Sequence, residues 1–323
     1  MPIKISVIIP TYRRPHLLIR CLTALCNQEM EKSAFEVIVV SDGPDEKTAI
    51  ILNDWINKKE INLTFLNTET KKGPAGARNY GWLQAKASLI AFTDDDCLPD
   101  KTWLKSFLNF YRDEEAIAFT GRTIVPVDEN PSDFAANTAQ LEKAEFITAN
   151  CACTKKALIY AGGFDERFKL AWREDSDLQF KFSILKIPVI RISDAVVVHP
   201  VREEKWGISI WEQKKGFYDA LLYKKYPQLY KSKLNAAPLL NYYITVFLWL
   251  LLFVLSYFKE FNIVAIAVFI LAALIGNFTY KRLKNTRKSL NDVIEMLVTS
   301  IIIPFLSVYW RIYGAIKFRV FFI

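Results

Sequence analysis

The sequence predicts an α/β domain built on a mostly parallel central sheet, followed by a C-terminal membrane region. Short apolar, strand-like runs alternate with helix-spaced segments through the first hundred residues. Polar and acidic residues fall where those runs end, which is where such sheets gather ligands. Beyond about residue 235, charge vanishes from two stretches of twenty residues, each the length of a membrane-spanning helix.

The elements follow in order. ISVIIP (5–10) is the first expected strand, closed by Pro10. Residues 15–28 place Leu18, Cys21, Leu22 and Leu25 at helical spacing. FEVIVVSD (35–42) is a second strand ending at Asp42, 45–58 is helical, and INLTFLN (61–67) is a third strand. GPAGARNYG (73–81) opens a helix that runs to about residue 87, and SLIAFTDDD (88–96) is a fourth strand entering three aspartates. Farther on, WREDSDLQFKF opens a helix, and AVVVHP ends a strand at His199.

The chain has 323 residues and a net charge of +8, enough for one large domain or two smaller units. The expected division is 1–235, mixed like a soluble domain, and 236–323, lipid-like. Residues 239–258 and 261–280 carry no charge, and only Lys259 and Glu260 separate them. They predict a tight transmembrane hairpin, since core helices are seldom apolar on every side for so long. Lys224, Lys225, Lys231 and Lys233 precede it; Lys281, Arg282, Lys284, Arg287 and Lys288 follow. Both flanks are therefore expected in the cytoplasm, with the 259–260 turn outside. The basic flanks also make membrane lipids expected partners. No aromatic–basic recognition motif accompanies the charge, so nucleic acid is not an expected partner. Around 293–313, an uncharged run of 15 residues (296–310) is interrupted by Pro304. That is short for a span, and an interfacial or re-entrant helix at the cytoplasmic face is expected in preference to a third crossing. The first residues enter a strand directly, so no cleavable signal is expected. Five cysteines without a CxxC pair predict reduced thiols rather than a disulfide framework or a zinc site.

FTDDDC (92–97) is the segment that asks for an explanation. Adjacent carboxylates repel and raise one another's pKa. Either the turn is solvated, or a hard divalent cation, Mg2+ or Mn2+, makes the cluster favourable. Asp42 before Gly43 is by itself a common turn former. GPAGARN lacks the GK[ST] ending of a P-loop and the GxGxxG dinucleotide fingerprint, yet small residues at a helix start allow close anion approach.

SVIIPTYRRPHLL, VIVVSDGPDE, GPAGARNYG, FTDDDCLPDKTWL, GGFDERF and WREDSDL occur in this order. Together they resemble the family 2 glycosyltransferases, which have the GT-A (nucleotide-diphospho-sugar transferase) fold and use nucleotide-sugar donors. The resemblance covers roughly residues 3–202; the membrane region lies outside it and is similar in style to bacterial members tethered to the inner membrane. It implies that Asp96 binds the metal directly and that Asp94 contacts the metal or the donor ribose. Asp95, between them, is grouped with the donor-binding residues. Asp42 would hold the base or ribose, and Pro10, Thr11 and Tyr12 the loop over the nucleotide. Arg78 would reach the diphosphate or the base, or else form a structural ion pair. Glu174 and Asp175 match the ED motif, Asp175 as catalytic base and Glu174 tuning it or binding acceptor; His199 is a candidate third metal ligand. The implied activity is inverting transfer from a nucleotide-sugar to a lipid-linked glycan acceptor, in envelope or exopolysaccharide synthesis at the cytoplasmic face of the plasma membrane. Two alternatives remain open: a polyprenyl-phosphate acceptor, and a non-catalytic membrane scaffold that keeps the fold.

Overall fold

The computed structural model describes residues 2–58, 60–112, 115–234 and 239–322. Eight strands form one sheet: β1 (Ile5–Thr11), β2 (Phe35–Ser41), β3 (Leu63–Asn67), β4 (Leu89–Phe92), β5 (Leu98–Pro99), β6 (Ala118–Ile124), β7 (Cys151–Thr154) and β8 (Val189–Val198). The helices are α1 (Pro15–Cys26), α2 (Glu46–Lys58), α3 (Pro74–Gln84), α4 (Trp103–Phe110), α5 (Asp133–Thr138), α6 (Lys155–Ala161), α7 (Glu174–Ile184), α8 (Ile208–Glu212), α9 (Gly216–Lys225), α10 (Pro227–Leu234), α11 (Leu240–Tyr257), α12 (Phe261–Leu283) and α13 (Leu290–Phe318). They group into two compact units, Met1–Pro126 with Ala139–Val201, and Val127–Thr138 with Arg202–Ile323. The expected boundary at 235/236 lies outside the described residues.

In the first unit the strand order is β3-β2-β1-β4-β7-β6-β8-β5. β3, β2, β1 and β4 are mutually parallel, as are β6 and β8. The β4–β7, β6–β7 and β5–β8 pairs are antiparallel, so the sheet is mixed. Every residue of β1 and β2 is buried. Side-chain alternation sends Ile5, Val7, Ile9, Val37 and Val39 to one core, and Ile8, Ile38 and Val40 to the other. Each such aliphatic side chain contributes about 1.5–3 kcal/mol on burial. One polar pair interrupts this pattern: Ser6 Oγ donates to Glu36 Oε1 at 2.6 Å, and the Lys86 N–H donates to the same oxygen at 2.7 Å. The buried carboxylate thereby fixes the end of the segment between α3 and β4.

In the second unit α11 and α12 form the expected hairpin, joined through Lys259 at φ 59°. Leu248 and Leu252 pack on Ala267 and Leu271. The outer faces are bare apolar surface: Phe253 is 79% and Phe269 76% exposed. The third segment is longer than the uncharged run alone suggests. It is a single helix of 29 residues that passes through Pro304 unbroken, started by a capping box at Ser289 and Asp292. At 1.5 Å per residue that is about 43 Å, more than the hydrocarbon thickness of a bilayer. By length and composition, α11, α12 and α13 could each cross a membrane.

Candidate active site

Sheet register brings the site together. β1 and β2 pair Thr11 with Ser41, and β1 and β4 pair Ile8 with Phe92. Three residues beyond Phe92, Asp95 falls level with Thr11, and the Thr11 hydroxyl donates to Asp95 Oδ2 at 2.7 Å. Arg14 Nη2 lies 3.3 Å from the other oxygen. Asp95 is fully buried, and burial pushes its carboxyl up to about 6 against the pull of Arg14 and Thr11. The middle aspartate therefore ties the loop after β1 to the loop after β4. In the same loop the Tyr12 ring carries Lys71 Nζ at 4.2 Å and the Arg13 guanidinium at 5.0 Å. Arg13 takes a left-handed φ of 55°, held by its N–H donating to Asp45 Oδ2 at 2.7 Å. Pro10 is buried within β1, opposite Val40.

The fourth strand was expected to run to residue 96, but β4 ends at Phe92 and residues 94–96 are not extended. The Cys97 N–H donates back to the Asp94 carbonyl at 3.1 Å, closing a turn. The three carboxylates diverge: Asp94 meets Arg78, Asp95 meets Thr11 and Arg14, and Asp96 faces His199. Asp42 follows β2, and its Oδ1 accepts from the Lys72 and Gly73 N–H groups at 2.7 and 2.8 Å. It thus shapes the entrance to α3.

Arg78, on α3, is 2% exposed. Its Nη2 donates to Asp94 Oδ1 at 2.7 Å and its Nη1 to Glu174 Oε1 at 3.0 Å. Both carboxylates hold its charge on, against burial. Of the roles left open for Arg78, the ion pair is the one this geometry favours. Glu174 and Asp175 open α7 behind Arg173, which sits at φ 74° under the Trp172 ring. Burial pushes the Glu174 carboxyl up to about 7, opposed by Arg78, and its Oε2 has no partner among the described residues. Asp175 is half-buried; its Oδ1 accepts from the Ser176 N–H at 2.6 Å, and burial raises its pKa as well. Asp177 is buried against Lys181 at 3.2 Å, a structural pairing.

His199 follows β8, its N–H donating to the Ile124 carbonyl at 2.8 Å. Nε2 lies 3.8 Å from Asp96 Oδ1, too far for a hydrogen bond, and Nδ1 is buried with no partner among the described residues. Ligand atoms of Asp96, Cys97 and His199 lie within 4.8 Å of one another. A buried carboxylate and imidazole that approach without bonding fit a divalent cation between them. Cys97 fits poorly, because burial and the neighbouring aspartates push its thiol well up and keep it protonated. Asp94, bonded to Arg78, is not among these three residues.

Sequence reasoning missed Arg14 and Asn79. Asn79 Nδ2 donates to the Phe164 carbonyl at 2.9 Å and to Glu166 at 3.1 Å, while its Oδ1 accepts from the Phe164 N–H and Trp82 Nε1. It locks GPAGARNYG onto GGFDERF. Their order along the chain was visible; their contact was not.

Residues 6–169 match the profile described as Glycosyl transferase family 2, which is half of the chain. This chain belongs to glycosyltransferase family 2. It is 36% identical over 101 residues to the glycosyltransferase AglE of Haloferax volcanii, covering 31% of this chain and 33% of that protein. It is 27% identical over 219 residues to the hyaluronan synthase of Pasteurella multocida, covering 67% and 21%. The chain thus spans about a third or less of these curated relatives. Among solved structures, the mannosyltransferase PcManGT from Pyrobaculum calidifontis, in complex with GDP-Man and Mn2+, superposes with a TM-score of 0.57 at 16% identity over 99% of this chain and 88% of that one. At that identity the likeness shows the fold, GT-A, and no more.

Proposed function

We propose that this family 2 glycosyltransferase is membrane-tethered and metal-dependent. It would transfer a sugar, with inversion, from a nucleotide-sugar to a lipid-linked glycan acceptor in envelope or exopolysaccharide synthesis. Its first unit would work at the cytoplasmic face of the plasma membrane. The observation that carries this reading is the convergence of Asp96, His199, Arg78, Asp94, Glu174 and Asp175 from four separate segments. Asp96 and His199 would hold Mg2+ or Mn2+. Bound there, the cation supplies positive charge to the departing nucleoside diphosphate. Asp42, Thr11 and Tyr12 line the loops that would receive the nucleoside. Asp175 would take the proton from the attacking hydroxyl; burial raises its pKa and so makes its carboxylate a stronger base. Glu174, buried and bonded to Arg78, would fix the N-terminus of α7 and so the position of Asp175. The test is a donor screen with membranes containing the protein, reading release of UDP, GDP or dTDP. Release from one donor, dependent on Asp175, supports the reading; no release from any would favour a non-catalytic scaffold.

A further inference from the structure

Both ends of α13 are tied to chain that precedes α11. At the N-terminal end Glu295 accepts from the Gly207 N–H at 2.7 Å, and Arg287 reaches both Asp292 and Glu204. At the C-terminal end Lys224 donates to the Phe318 carbonyl at 2.6 Å, and the Phe322 ring packs on Tyr223 and Tyr230 at 5.1 and 5.5 Å. If α11 and α12 each cross the bilayer, as proposed above, the chain returns to the side it left. Both ends of α13 then lie on that same side. A helix held this way does not cross; it lies along the membrane surface.

That geometry puts a buried cation at headgroup depth. Arg311, on α13, is 5% exposed, and its guanidinium stands 4.3 Å over the Phe322 ring. Its Nε meets no acceptor among the described residues, and no described carboxylate pairs with it. Close packing builds the seat: a Cβ on Gly314, three residues on, would lie 2.6 Å from the Phe217 carbonyl, so α9 and α13 approach backbone to backbone there. Lys214 lies over the Trp310 ring at 5.7 Å, adding positive charge on the same layer. Ile312 and Ile316 are exposed beside it.

A buried guanidinium with no counter-charge among the described residues is unfavourable in apolar surroundings, and an ionisable residue there marks a ligand site. The planar fork suits phosphate oxygens. We infer that Arg311 anchors the phosphate of an anionic lipid headgroup on the α9–α13 layer. The exposed isoleucines offer the adjoining surface to its acyl chain.

The test uses the purified full chain in neutral detergent, followed by thermal unfolding with phosphatidylglycerol, phosphatidylcholine or inorganic phosphate. Phosphatidylglycerol at a hundredfold excess over its Kd should raise the midpoint by about 5–10 °C, and phosphatidylcholine should do far less. Arg311→Gln should abolish that difference without lowering the lipid-free midpoint, since an unpaired charge is removed. Arg311→Lys, which keeps the charge but not the fork, should retain part of it. Equal stabilisation by both lipids, or an unchanged phosphatidylglycerol effect in Arg311→Gln, overturns the anchor. Inorganic phosphate acting as strongly as the lipid overturns the lipid source and leaves a free-phosphate site. Failure of the crossings would show instead as a cysteine at 259 shielded in intact cells, with the Arg311-dependent effect still present.

Discussion

Replacing Arg78 with methionine tests the central electrostatic arrangement. The substitution keeps length and removes the cation that joins Asp94, at 2.7 Å, to Glu174, at 3.0 Å. Glu174 is 3% exposed, so it would be left as an unpaired buried carboxylate. Breaking such a pair from one side costs about 3–5 kcal/mol, whereas loss of an exposed pair costs under about 1. For a unit of this size that corresponds to a fall in Tm of roughly 6–20 °C. The pH dependence gives a second handle. The Glu174 carboxyl titrates at about 7 in the fold against an ordinary 4.5, so between those values the folded chain holds a proton the unfolded chain has lost. Its contribution to stability therefore falls as pH rises through that window. Without Arg78 the folded pKa climbs further and the decline extends above pH 7. Arg78→Met should thus be more damaging at pH 8 than at pH 6, and Glu174→Gln in the same chain should recover much of the loss. Thermal unfolding of the four variants of the cycle at both pH values measures all three effects. A loss below about 1 kcal/mol, with the wild-type pH profile, would refute the buried-bridge reasoning.

Three further outcomes are expected. Asp96→Asn and His199→Ala should each weaken Mn2+ binding, read by titration calorimetry, while Asp94→Asn should weaken it less; equal losses would restore Asp94 to the ligand set. Asp175→Asn should depress sugar transfer by roughly 10^2–10^4 with donor affinity nearly unchanged, because a placed base contributes about that factor; near-wild-type turnover would move the base elsewhere. In intact cells a cysteine at 259 should react with an impermeant thiol reagent, and one at 320 should not; labelling at 320 would mean that α13 crosses.

The sheet was legible because its signal is local. A buried parallel strand reads as a continuous apolar run, and β1, β2 and β4 each begin and end within two residues of the expected limits, apart from the aspartates that the fourth run carried beyond Phe92. The hairpin was legible for the same reason, since length and absence of charge are properties of the segment itself. α13 was harder. Pro304 reads as an interruption, yet a proline removes only one hydrogen bond, and here Pro304 and Ile303 are buried by packing.

The site divides along the same line. Which motifs would meet was readable from where the strands end; which carboxylate faces which partner was not. Asp94, Asp95 and Asp96 are chemically identical and adjacent, and only the turn closed by Cys97 sends them apart. Their separate tasks depend on contacts far away in sequence: Thr11 for Asp95, Arg78 for Asp94 and His199 for Asp96. Arg78 shows the consequence. In the sequence it is a cation beside a glycine-rich turn, suited to a phosphate. In the fold it lies between two acidic motifs some sixteen and ninety-six residues away. Its charge opposes the rise that burial imposes on the Glu174 carboxyl, and a substitution there should be felt first in stability and only then in turnover.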